Sequence, residues 1–329
     1  MTGEDNVREP GDSEMAGGDG SSAGEAKARR EPHYSGAPRL PVSPSPRQSA
    51  RLRSPDNAHR WSRLLWYALA IALAFAAVLP FLYMISTSLM DELEVFRFPP
   101  PVLPTTPRWA NYPEALTALP FGRFFLVSGV MSVTIVAGTL FTSATAAYAF
   151  ARLEFPGRDR VFLLYLATLM VPAIVLLIPR FLLVSAFGWV DTFRGLIVTE
   201  LVQVWGIFLL RQYFLSLPRD LEDAARIDGA GEWHVFTRIA LPLAKPALAT
   251  VALFIFVDQW KSFLWPLIVT RSMDMRPVEV GISRFAGLYY ANWPYQMAAS
   301  VVAILPILVL FFFAQRYFIR GIQLTGLKG

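Results

Sequence analysis

The chain has 329 residues, 54% of them hydrophobic and 14% aromatic, with a mean hydropathy of +0.41 and a formal charge of +5. Apolar content this high, gathered in long runs, excludes an ordinary soluble domain of this length. The absence of cysteine excludes disulfides, thiolate nucleophiles and cysteine metal sites, and three histidines (His33, His59, His234) argue against a histidine-based centre. From the amino terminus, residues 1–57 are rich in Gly, Ser, Pro, Glu and Arg and lack apolar periodicity. Such a segment buries too little surface to offset chain entropy, so it is expected to be a disordered cytoplasmic tail. It holds no apolar run and does not read as a cleaved signal peptide. Its later part is basic, from Lys27 to Arg53, which suits anionic lipid or the anchoring of the first helix.

Residues 58–329 carry six segments near the roughly 20-residue length that crosses a bilayer as helix. They lie near Leu64–Ser88, Phe124–Phe150, Val161–Val184, Gly195–Phe214, Ala247–Thr270 and Met297–Phe318. The fold class expected is therefore an all-α polytopic membrane protein. Pro172 and Pro179 are expected to kink or break the third span, and Pro266 the end of the fifth. With the amino terminus inside, twenty Lys and Arg residues from Lys27 onward fall on the inner side, against seven in the outer loops. This imbalance puts both termini in the cytoplasm. The positive charge thus accompanies membrane segments and does not point to nucleic acid. The first outer loop is proline-rich around Asn111-Tyr112-Pro113 and reads equally as a stiff connector or a partner site. The last outer loop clusters Tyr289, Tyr290, Trp293 and Tyr295, as headgroup-level aromatics do, with sugar stacking or receptor contact as the sharper reading.

One polar stretch stands between the fourth and fifth segments, at residues 215–246. Pro218 suits a first helical turn, where its missing N–H would be unpaired anyway. Leu221, Ala224, Ala225 and Asp228 recur at helical spacing, and Gly229 is expected to take a positive φ and end that helix. Trp233, Phe236, Ile239 and Ala240 follow, then Pro242 and Pro246. The charge count puts this stretch on the cytoplasmic side. It reads as a docking element between spans four and five.

Asp223-Ala224-Ala225, three residues, Gly229, nine residues and then Ile239-Ala240-Leu241-Pro242 resembles the EAA loop of permease subunits in binding-protein-dependent ABC importers. Asp223 stands where that family has Glu; Glu222 offers the longer arm, and which acid serves stays open at this level. Ala146 to Arg152 with Phe155-Pro156-Gly157-Arg158 is similar to the end of the second span in sugar-importer permeases. Leu241 to Leu248 and Phe263-Leu264-Trp265-Pro266-Leu267 are similar to their fifth-span region, and Tyr317 to Gly321 with Gly326 to Gly329 to their carboxyl end. The likeness runs from about Leu64 to Gly329 and points to the six-span subunit of maltose-type importers.

What the resemblance implies is a sugar or oligosaccharide permease in the cytoplasmic membrane, driven by ATP on other chains. It implies a second permease subunit, an ABC ATPase dimer carrying ATP and magnesium, and an extracytoplasmic solute-binding protein. Glu222, Asp223, Ala224, Ala225, Asp228, Gly229, Ile239, Leu241 and Pro242 would then couple to the ATPase. The chain itself holds no Gly-x-x-x-x-Gly-Lys-Ser/Thr phosphate loop and is not expected to be an enzyme or to carry a cofactor.

Charges inside the apolar runs mark a second group of candidates. Asp258 falls near the centre of the fifth segment with Lys261 at i+3, where the two can pair on their own helix. Mid-bilayer charges cost on the order of 2.5–3.5 kcal/mol on insertion scales and face a partner or a wet cavity. Trp260-Lys261 departs from the Trp-Asn common in relatives. Glu200 sits five residues into the fourth segment and is expected to reach water near the outer surface. Asp258, Trp260, Lys261 and Glu200 are the translocation-pathway candidates. The competing class is a self-sufficient ion-coupled secondary transporter using these charges, and a further reading keeps the ABC architecture with a non-sugar solute.

Overall fold

The computed structural model describes residues 56–287 and 291–325, with side chains between residues 62 and 315. The chain divides into two units, residues 1–62 and 63–329. Of the first, only the opening turns of a helix fall among the described residues. The expectations for the tail up to residue 55, for Tyr289 and Tyr290, and for residues 326–329 lie outside them. Among the described residues the regular structure is helical, with one isolated antiparallel bridge between Ala286 and Ala291.

Helix α1 (Asp56–Ser88) is apolar all round, and every described residue from Ser62 to Tyr83 is exposed. A helix greasy on every side belongs in hydrocarbon or inside a larger assembly. Its end is the exception: Ser86 to Met90 are buried beneath the loop that follows. That loop is folded, with short α2 (Glu92–Val95) and α3 (Asn111–Ala118). The Asn111 side-chain amide donates to the carbonyls of Ser88 and Met90 at 2.8 and 2.9 Å, and the Tyr112 hydroxyl meets Ser88 Oγ at 2.8 Å. The segment expected to be a connector or a partner site thus contains a cap on α1.

The core is built on α4 (Phe121–Arg152). Its buried positions Phe124, Val127, Met131, Ile135, Thr139, Ser143, Ala147 and Ala151 recur at three- and four-residue spacing along one stripe. Small groups dominate the second half of that stripe and let neighbours approach, as membrane helix interfaces require.

The next three segments depart from the expected single rods. The third is α5 (Arg158–Ala167), two 3₁₀ turns and α6 (Leu177–Ala186), bent by 91°. Val171 is extended because the Pro172 ring excludes the helical conformation from the residue before it. Pro179 causes no break, for it lies in the first turn of α6, where no N–H is needed. The fourth is α7 (Phe193–Ile197), a 3₁₀ turn ending at Glu200, and α8 (Val204–Ser216), bent by 41° at extended Gln203. This break was not expected. Its freed carbonyls are satisfied by α4: Thr139 Oγ1 donates to Glu200 O at 3.2 Å and Thr142 Oγ1 to Leu201 O at 2.6 Å. Gly206 then brings α8 so close to α4 that a Cβ there would stand 3.0 Å from Ser143 Oγ.

Beyond α9 (Asp220–Ile227) and α10 (Glu232–Val235), a wide helical turn at Phe236–Ala240 leads through α11 (Leu241–Leu243) into α12 (Lys245–Trp260) with a 76° bend. The expected fifth span to Thr270 is corrected: α12 stops at Trp260, and α13 (Leu264–Val269) starts afresh. Pro266 cannot bond the Ser262 carbonyl and crowds it, so the break falls four residues upstream of the proline. Short α14 (Val278–Ile282) packs on α4, with the Val278 N–H donating to buried Ser128 Oγ at 2.8 Å. Last comes α15 (Trp293–Thr325), tied to α12 by Trp260 Nε1 donating to Ala303 O at 3.0 Å. Among the described residues, three helices are long and apolar enough to cross a membrane, within α1, α4 and α15; counting each bent pair as one span gives up to six.

Candidate functional site

Helix α9 occupies the middle of the polar stretch. Asp220, Glu222 and Asp223 sit in its first turn and Arg226 in its last, the arrangement a helix dipole favours. The helix stops as its sequence demands: Gly229 has φ +83°, and the Ala230 N–H returns to Ala225 O at 2.9 Å, six residues closing onto one. Asp228 is the last residue before that turn and is exposed.

The two acids divide sharply. Glu222 is 1% exposed and accepts from Arg152 Nε at 2.9 Å, while Arg152, at the end of α4, also donates to Leu217 O at 2.9 Å. Asp223 turns outward and meets Arg226 at 2.7 Å. Arg226 also donates to Glu232 at 2.7 Å, a contact that raises the guanidinium pKa above its ordinary value. The chain of contacts closes where the Tyr148 hydroxyl, on α4, donates to Glu232 at 3.1 Å. The segment from α9 to α10 is thereby bolted to α4 at two points one turn apart. Breaking a buried pair such as Arg152–Glu222 costs about 3–5 kcal/mol, even though Glu222 keeps a longer contact with Arg226 at 3.5 Å.

On the opposite side of α9, Leu221, Ala224 and Ile227 form one exposed apolar ridge at three-residue spacing, with exposed Trp233 beyond the turn. Ala225 is half-buried. Ile239 and Leu241 are half-buried and Pro242 is exposed, so they line the joint between the stretch and α12.

The charged candidates in the apolar segments fall in a different place. Glu200, expected to reach water, is instead ion-paired with Arg180 of α6, and its other oxygen stands 3.5 Å from the Gln259 amide nitrogen. Arg180 Cζ lies over the Trp265 ring, 3.6 Å from its centre, and Trp265 Nε1 donates to Gly195 O at 3.2 Å. Gln259 also donates to Asp258 at 3.2 Å. Asp258 is exposed and sits in the last turn of α12, not at the centre of a span. No ion pair joins it to Lys261 among the described residues. Lys261 is the residue that ends α12, and its charge acts instead on half-buried Glu279 of α14, whose carboxyl burial pushes up and Lys261 pulls back down. Trp260 is buried and serves the α12–α15 contact.

Residues 138–324, more than half of the chain, match the family described as the binding-protein-dependent transport system inner membrane component. The chain belongs to that family. The match of this inner-membrane component takes in α9, the Gly229 turn and the polar group around Glu200. It is 38% identical over 78% of its length to the arabinooligosaccharides transport system permease protein of Halalkalibacterium halodurans, covering 93% of that protein. It is 31% identical to the sn-glycerol-3-phosphate transport system permease protein of Rhizobium meliloti and 32% to the diacetylchitobiose uptake system permease protein of Streptomyces coelicolor. Each pairing covers 80% of this chain, and 97% and 88% of those proteins. Among solved structures, the fold matches a chain of a bacterial ABC transporter involved in the import of the acidic polysaccharide alginate. The TM-score is 0.71 at 24% identity, over 80% of this chain and 98% of that one.

Two residues of this inner-membrane component escaped the sequence reading. Arg180 is a lone arginine inside the apolar run Leu176–Val184, and that alone was signal enough. Arg152 stood in a quoted motif, but nothing local marks it as the partner of an acid seventy residues on.

Proposed function

We propose that this chain is one permease half of an ATP-driven importer for a sugar or oligosaccharide. Six spans, three of them bent, cross the cytoplasmic membrane with both termini inside, and α9 is the cytoplasmic coupling helix between the fourth and fifth. A second permease subunit completes the pathway, an extracytoplasmic binding protein delivers the solute, and an ABC ATPase dimer on separate chains binds ATP and magnesium. No bond is made or broken on this chain.

The observation that carries the coupling role is the two-faced α9. Its Glu222 side is fixed to α4, and its Leu221–Ala224–Ile227 ridge is exposed among the described residues. Such a ridge fits a cleft on a partner, helix into groove. Ala224 keeps the ridge narrow, Asp223 and Asp228 place charge at its rim, and Gly229 turns the chain away. When the ATPase dimer closes, a helix held rigidly to α4 moves α4 with it, and the joint at Ile239, Leu241 and Pro242 passes the motion to α12. Inward-open and outward-open states exchange as rigid bodies. Sugar cargo is supported by relatives named for arabinooligosaccharide and diacetylchitobiose transport.

The test is Gly229→Asp. An aspartate is strained at φ +83° and adds a branch beside the ridge. Uptake is expected to vanish while the subunit remains in the membrane with its partners; normal uptake in that variant refutes the lever.

A further inference from the structure

The loop between α1 and α3 is folded inside out. Its acid is turned inward: Glu94 is 4% exposed and accepts from the Thr105 N–H at 2.7 Å and from Thr105 Oγ1. Its large apolar side chains are left outside. Leu93, Phe96, Phe98, Val102, Leu103 and Trp109 are all exposed, Leu93 by 80% and Phe98 by 96%. Single exposed apolar residues are ordinary on any surface, but a cluster of them on one short loop marks a contact. Polar bonds hold the loop close to the end of α1. Ser86 Oγ donates to Val102 O at 2.6 Å, and the Arg108 N–H donates to Leu89 O at 2.8 Å. Five prolines from Pro99 to Pro107 stiffen the path.

Reversed polarity of this kind suits hydrocarbon better than water, and hydrocarbon is at hand. The membrane-length stretch of α1 is exposed from Ser62 to Tyr83, its apolar surface reaches Ile85, and exposed apolar groups resume at Leu93. Arg97 is exposed between two phenylalanines, so its guanidinium can meet a lipid phosphate while the rings enter the acyl boundary. A soluble partner that docks and leaves would return these side chains to water in every cycle, against roughly 25 cal/mol for each Å² of apolar area. A lipid surface keeps them covered throughout.

We propose that the loop from Asp91 to Trp109 is a membrane-surface anchor, its apolar side chains set in the headgroup and upper acyl layer of the leaflet where α1 ends. The anchor rests on α1 crossing the bilayer. It fixes the depth at which α1 ends and, through the Asn111 amide, the depth of α3.

Spin labels on the intact transporter in lipid nanodiscs, prepared without a solute-binding protein, test this. The chain has no cysteine, so Phe98→Cys and Leu103→Cys each carry one label on the loop. Leu73→Cys and Phe75→Cys carry labels on opposite sides of α1, two residues being a turn of about 200°. Collision with oxygen marks lipid, and collision with a soluble nickel chelate marks water. The loop labels are expected to favour oxygen and to lie about 5–10 Å into the boundary between headgroups and acyl chains. Free collision with the chelate at both loop positions overturns the anchor. Shielding of both from either reagent, as a covering protein subunit would give, also overturns it. In those two cases oxygen collisions at position 73 or 75 leave the membrane-crossing α1 standing. Chelate collisions at all four positions overturn both.

Discussion

Arg152 and Glu222 make the most consequential single contact in the molecule, since both side chains are almost fully buried, at 3% and 1% exposure. Arg152→Ala is expected to lower stability by about 3–5 kcal/mol, read as a fall in Tm of the detergent-solubilised assembly, with uptake lost. Arg152→Met with Glu222→Leu, which removes both charges, is expected to regain much of that stability. Asp223→Ala breaks only an exposed pair and is expected to change stability by under about 1 kcal/mol. The sequence left Glu222 and Asp223 as rivals because one helical step separates them. What divides them is a cation on another element, and local spacing carries no record of that. A different acid governs the loop after α1. Thr105 Oγ1 and then the Thr105 N–H donate to Glu94 and hold its carboxyl below the usual carboxylate range. A lowered folded-state pKa contributes stability that is full above the unfolded value and lost as pH falls through the folded one. Hydrogen exchange at residues 91–108 is therefore expected to accelerate below the ordinary carboxylate range, and Glu94→Gln to abolish that step.

Breaks, not rods, distinguish the helices here. Two of them follow directly from proline: Val171 leaves the helical region because Pro172 follows, and α12 stops at Trp260, short of the Ser262 carbonyl that Pro266 cannot bond. The break at Leu201–Gln203 has no proline, and its cause is tertiary. Thr139 and Thr142 of α4 offer hydroxyls to two carbonyls that an unbroken helix would have satisfied itself. Their sixty-residue separation from Glu200 explains why apolar length alone predicted a continuous span. Thr142→Val, which keeps shape and removes the donor, is expected to cost about 1 kcal/mol and to lower Tm without affecting insertion. The stop at Gly229, by contrast, was readable from sequence, because an αL turn after a helix depends on that residue alone.

At the scale of the whole chain, the apolar runs marked the long helices within α1, α4 and α15 and most of the bent pairs, and the spacing of Asp223, Gly229 and Pro242 marked the polar stretch that carries α9. What they missed is the pairing of elements: Arg180 with Glu200, Arg152 with Glu222, Asn111 with the end of α1. Orientation can be tested cleanly, because the protein has no cysteine of its own. A single cysteine at Asp223, exposed on α9, is expected to react with an impermeant maleimide only in inside-out vesicles. One at Arg97 is expected to react only from the outside of intact cells. The reverse pattern would put the docking stretch beyond the reach of any ATPase.

The bracket that Asn111 places on Ser88 and Met90 has a mechanical meaning for α1. From Ser62 to Tyr83 this rod presents bare surface on all sides, so its moorings within the described chain gather at its final turn. A mast stepped at one end can swing at the other. The rest of the rod can then follow whichever neighbour claims it, while Asn111 and Tyr112 keep the subunit's hold on the end of its own first helix.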